Sequence, residues 1–140
     1  TTPCRPRSPR RRFSRSAMEV EIVSAGHPPA LFQSQGHGSR PVEGRGDILG
    51  MLELVRFEPH RFRVAPGDRL LLYSDGITEG YVDSLGRRGR AAWGAERLRE
   101  AFDTTASLSL TAAVDAIVDE VLEECNGVAG DDIVALAVEF

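Results

Sequence analysis

The chain has 140 residues, a formal net charge of -4 and 41% hydrophobic residues, which fits one small globular domain or a piece of one. All 17 basic residues are Arg; six lie between positions 5 and 15, and without them 11 Arg face 21 acidic residues, a balance of -10. An acidic body argues against a nucleic-acid face there. No apolar run approaches the roughly 20 residues that a membrane span needs, and the N-terminal Arg residues are not followed by the apolar stretch of a secretory signal. Cys4 and Cys125 lack C-x-x-C spacing and support neither a zinc site nor a disulfide framework; they read as unpaired thiols of a reducing cytoplasm.

Residues 1–17 are a Pro/Arg/Ser tract with too little apolar surface to offset the entropy of ordering, so the tract is expected to be disordered. Order is expected from Met18, where Val20, Ile22 and Ala25 roughly alternate with polar residues as in a half-buried strand. Gly26-His27-Pro28-Pro29 is a turn, and Ala30-Leu31-Phe32 restarts a strand. Residues 33–50, with five glycines, read mostly as loop. Leu52 to Val64 alternates around a break at Pro59, and Ala65-Pro66-Gly67-Asp68 is a turn feeding a strand from Arg69 to Ser74. A polar, Gly-rich span then runs to Arg90.

Trp93 to Phe102 reads as a helix. From Leu108 to Leu122, Leu110, Val114, Ile117, Val118, Val121 and Leu122 share one helical face, with Thr104, Thr105 and Ser107 as candidate N-caps and Asn126-Gly127 as the stop. Ile133 to Phe140 is the last strand. Early strands joined by tight turns, then helices, then one strand favour an antiparallel α+β sandwich over a parallel sheet.

The chemistry concentrates in two places. Leu70-Leu71-Leu72-Tyr73-Ser74-Asp75-Gly76 is an apolar run that delivers a carboxylate at its tip, where Gly76 lets the backbone turn sharply. Asp131-Asp132 opens the final strand-like run. Two strands each carrying Asp at one end suggest carboxylates converging on a divalent cation with a preference for oxygen ligands. Asp75-Gly76 alone would read as a turn, and Asp131-Asp132 alone as a solvated pair. His27 reads as a turn residue, and His37 and His60 have no metal-ligand spacing. Arg87, Arg88 and Arg90 read as a solvated charge run with the alternative of steering an anionic partner.

Three motifs, in order, resemble the PPM (PP2C-like) metal-dependent Ser/Thr phosphatases, in the branch that includes stage II sporulation protein E and RsbU. Ser24-Ala25-Gly26-His27-Pro28-Pro29 is similar to an Asn-Ala-Gly-His-Pro-Pro hairpin. Pro66-Gly67-Asp68 followed by Tyr73-Ser74-Asp75-Gly76-Ile77-Thr78-Glu79 is close to the Pro-Gly-Asp…Tyr-Ser/Thr-Asp-Gly-Val/Ile-Thr-Glu signature. Gly130-Asp131-Asp132-Ile133 resembles the closing Asp-Asp strand. The resemblance implies an α+β fold, an antiparallel αββα sandwich of PP2C type, with two Mg2+ or Mn2+ ions between the sheets. It implies Asp75 and Asp131 as metal ligands, Asp132 as a further ligand or the holder of a bound water, and Gly76 as part of the same pocket. Glu79 would cap the short segment after Asp75 or couple it to a regulatory switch.

One motif of the family is absent. The Gly-Asp-x-x-Gly-His-Gly segment with the metal-bridging Asp has no counterpart, since Gly36-His37-Gly38 lacks the Asp and lies after the hairpin. The expectation is therefore residues 18–140 as the C-terminal portion of a phosphatase domain whose N-terminal part is missing. The implied parent reaction is hydrolysis of phosphoserine or phosphothreonine on a cytoplasmic regulatory protein, an anti-anti-sigma factor of STAS type. The alternative is an inactive truncated remnant acting as an interaction module. No nucleic acid or membrane partner is expected in this portion, and strand edges left open would invite a homodimer.

Overall fold

A computed structural model of the chain describes residues 18–51, 56–79, 94–125 and 129–140. The expectations for the 1–17 tail, the Arg87–Arg90 run, Trp93 and the Asn126-Gly127 stop fall outside the described residues.

The centre is a four-stranded antiparallel sheet of β2 (Ala30–Gln33), β3 (Ser39–Val42), β7 (Arg69–Tyr73) and β8 (Ala135–Glu139), ordered β3-β2-β7-β8. Its register sets Leu31 opposite Leu71, and Tyr73 opposite Ala135. β7 is apolar at every position after Arg69 because both of its faces are covered. One face packs against helices α2 (Gly94–Thr104) and α3 (Leu110–Glu124) through Leu31, Leu71 and Tyr73 against Leu98, Phe102, Ile117 and Val121. The other face packs through Phe32 and Leu70 against β1 (Met18–Ile22) and β6 (His60–Val64), which pair antiparallel as a second sheet. The Phe32 and Phe62 rings meet edge to face with centroids 4.9 Å apart.

The outward side of β1–β6 carries opposite charges in cross-strand register, Glu19 opposite Arg63 and Glu21 opposite Arg61, the latter pair joined as a salt bridge. Helix, sheet, sheet are thus three layers of an αββα sandwich, and the mixed antiparallel fold expected from the sequence is the one observed.

Three local expectations are corrected. Residues 33–50 are more than loop, because they hold β3 and the two-residue β4 (Arg45–Gly46), which pairs with β5 (Phe57–Glu58). The glycines there turn the chain between short strands, and Pro41 stands on β3, a sheet edge that tolerates a residue without N–H. The last helix begins at Leu110 and is capped by Ser109, whose side chain accepts the Ala112 N–H at 3.3 Å. Thr104 and Thr105 instead send their hydroxyls back to the Ala101 and Phe102 carbonyls at the end of α2. The final strand begins at Ala135; at the next step the Val134 N–H is taken by the Ser74 hydroxyl in place of a backbone carbonyl.

Candidate metal centre

β7 and β8 run in opposite directions, so the C-terminal tip of one and the N-terminal approach to the other lie at the same end of the sheet. Asp75 leaves β7 as the first residue of a single helical turn, α1 (Asp75–Thr78), and is exposed. Of the polar, Gly-rich span expected from here to Arg90, the structure describes residues as far as Glu79, and the first four form this turn. The turn closes by Glu79 N–H donating to the Asp75 carbonyl at 2.6 Å, so the backbone of Glu79 caps the turn while its side chain stays exposed.

Asp131 and Asp132 are exposed on the irregular approach to β8. An Asp131 carboxylate oxygen accepts the Asp132 N–H at 2.8 Å, which fixes the bend before the strand. Gly76 is buried between the two segments. A Cβ at this position would collide with the Asp132 carbonyl oxygen, and it would lie 2.8 Å from the Asp132 carbonyl carbon and 3.4 Å from that of Asp131. Glycine is required here for close backbone approach and not for an unusual torsion angle.

Ser74 completes the junction. Its N–H donates to the Val134 carbonyl at 2.9 Å, and its hydroxyl donates to the Asp132 carbonyl at 2.7 Å while accepting the Val134 N–H at 2.9 Å. Sequence reasoning singled out Asp75, Gly76, Asp131 and Asp132 but passed over Ser74. The available signal was a hydroxyl residue placed between the end of an apolar strand and an Asp-Gly pair.

The donor set at this end is all oxygen, the chemistry that suits Mg2+ or Mn2+. It fits part of a coordination shell. Among the described residues no three His, Cys, Asp or Glu side chains gather closely enough to hold a metal ion by themselves. The histidines are engaged elsewhere. His27 Nδ1 contacts the Pro28 carbonyl at 2.8 Å, His37 Nδ1 the Gln35 carbonyl at 3.1 Å, and His60 stacks near Phe62. The Gly26-His27-Pro28-Pro29 turn enters β2 at the same end of the sheet, and a cavity of about 280 Å3 there is lined by Ile22, Ser24, His27, Pro29 and Leu72.

The layers and their connections are those of a PP2C-type phosphatase domain. The SiaA-PP2C domain of Pseudomonas aeruginosa aligns with a TM-score of 0.66 at 21% identity, over 86% of this chain and 46% of that one. The RsbU and RsbW domains of a Mycobacterium tuberculosis protein align with a TM-score of 0.64 at 26% identity, over 89% and 33%. The chain belongs to the stage II sporulation protein E (SpoIIE) family, whose model matches residues 12–140. The phosphoserine phosphatase RsbP of Bacillus subtilis is 33% identical over 60 residues, 43% of this chain and 15% of RsbP. The chain therefore spans less than half the length of each of these relatives. No helix among the described residues is long and apolar enough to cross a membrane.

Proposed function

We propose that residues 18–140 form the C-terminal portion of a metal-dependent protein phosphatase domain, in which Asp75 and Asp131 are ligands to one Mg2+ or Mn2+ ion of a pair. Asp132 holds the same ion or a water bound to it, and Gly76 sets the spacing. The observation that carries the reading is the closure of the Asp75 strand tip onto the Asp131-Asp132 peptide through Ser74 and Gly76. A bound divalent ion supplies charge neutralisation for phosphate oxygens and a water of lowered pKa. The chain's own contribution is to bring the two carboxylate-bearing segments together at one end of the sheet.

The substrate is phosphoserine or phosphothreonine on a cytoplasmic regulatory protein, in keeping with the description of RsbP as a phosphoserine phosphatase. An anti-anti-sigma factor of STAS type fits the branch that the motifs resemble. β8 is an edge of the central sheet with Val134 and Leu136 exposed beside it, which supports self-association through that edge.

A second reading, a metal-binding or interaction module without turnover, is favoured by the absence of a complete ligand cluster among the described residues. Calorimetric titration with MnCl2 and phosphate release from a phosphoserine protein test both. Saturable Mn2+ binding that is lost in Asp75→Asn and in Asp131→Asn supports the shared centre, with Mn2+-dependent release selecting the enzyme and its absence the module. Binding that is unchanged in both variants refutes the centre.

A further inference from the structure

Ser74 occupies the N-cap of α1, with extended torsion angles of φ -80° and ψ 159°, yet its side chain makes no cap hydrogen bond. A serine at such a position ordinarily accepts the N–H of the second or third helical residue. Here the hydroxyl is spent across the sheet, donating to Asp132 and accepting from Val134. The regular ladder between β7 and β8 ends at the Tyr73–Ala135 pair. Beyond it, one backbone bond and these two side-chain bonds carry the pairing for a further step. A plain continuation of the strands would keep residues 131–134 extended alongside β7. The hydroxyl instead draws the Asp132 carbonyl toward residue 74, and the Asp131-Asp132 peptide comes to rest on Gly76.

From this geometry we infer that Ser74 is the positioning residue of the metal centre: its hydroxyl fixes the distance between the Asp75 carboxylate and the Asp131-Asp132 pair. The inference rests on the phosphatase reading above and adds to it a residue that touches no ion. Its chemistry is narrow. The group must donate and accept at once, in a space bounded by two backbone segments. Thr retains both functions. Ala supplies neither and leaves the Val134 N–H without its acceptor. Cys keeps the shape but is a weak donor and acceptor.

The test is Mn2+ binding by the 140-residue chain and its Ser74→Ala, Ser74→Thr and Ser74→Cys variants, with Asp75→Asn as the reference for loss of the ion. Far-UV circular dichroism sets a temperature at which each is folded. Groups that orient metal ligands typically change affinity by about 10–100-fold when removed. Ser74→Ala and Ser74→Cys are expected to weaken Mn2+ by about tenfold or more with an unchanged fold, and Ser74→Thr to stay within about twofold of the parent chain. If Ser74→Ala does not fold, Ser74→Cys decides the question alone. Equal affinity in parent, Ala and Cys chains, with binding still lost in Asp75→Asn, overturns the positioning role and leaves the metal centre standing. Binding unaffected by Asp75→Asn removes the centre, and the role of Ser74 with it.

Discussion

The carboxylate of Asp103, in the last turn of α2, accepts the backbone N–H of Ser39 at 2.6 Å, joining a helix to the first residue of β3 across 64 positions of sequence. The same carboxylate accepts the Gln33 side-chain amide at 3.1 Å and pairs with Arg99 at 3.2 Å. Gln33 is only 4% exposed, so its amide has little access to water. Asp103→Ala should leave the Gln33 amide and the Ser39 N–H short of partners, at about 1–3 kcal/mol. Asp103→Asn, which keeps one acceptor oxygen, should cost less. Urea unfolding midpoints at constant m-value measure the difference; an Ala variant as stable as the parent chain would show that the latch contributes nothing.

Gly76→Ala tests the close approach at the strand tip. The added methyl meets backbone, which cannot swing aside as a flexible side chain could. Destabilisation of about 1–3 kcal/mol is expected, as for other overpacked sites. Mn2+ affinity should fall as the Asp131-Asp132 peptide is pushed away from Asp75. A midpoint and an affinity equal to those of the parent would contradict the packing described.

The start of α3 supplies a sharper comparison. Ser109→Ala removes the acceptor of the Ala112 N–H and should cost about 1 kcal/mol. Ser107→Ala, at a position that the sequence nominated and the structure does not use as the cap, should change stability by less than about 0.5 kcal/mol. Thermal or urea unfolding of the two variants side by side would expose a misplaced cap as a reversal of that order.

The Glu96 carboxyl is held below its usual range by the Arg99 guanidinium, which donates hydrogen bonds to it. A carboxyl whose folded pKa is lowered contributes stability above its ordinary pKa and loses it as pH falls through the lowered value. Arg99→Gln should therefore move the Glu96 midpoint upward in a carbon-detected NMR titration. The pair is exposed, so the accompanying stability change should be small and should fade with added salt. A midpoint indifferent to Arg99 would refute the pairing.

Much of the frame was legible in the sequence because it rests on local signals. The apolar run into Asp75 could only be a covered strand, and the spacing of Ile117 and Val121 marked the buried side of α3. β3 was not legible, since Pro41 and the surrounding glycines speak against a strand unless that strand lies at an edge. Asp103 was not singled out by the sequence. The available hint was its place at a helix C-terminus, where an acidic residue opposes the helix dipole and gains from a partner. For Ser74 the local hint stopped at its place between an apolar strand and an Asp-Gly pair; its partners Asp132 and Val134 lie far along the chain, so what its hydroxyl bonds to had no local signal.

That separation bears on how the molecule assembles. Ser74 and Asp132 are 58 residues apart, and both helices of the α layer lie between them in the chain. Contacts of such long range are slow to form, because the intervening loop must be closed before they are rewarded. The end of the sheet where Ser74 meets Asp132 should accordingly mature late in folding, after the α2–α3 pair has docked. Early compact species would carry a nearly finished core while the Asp75 and Asp131-Asp132 segments were still apart.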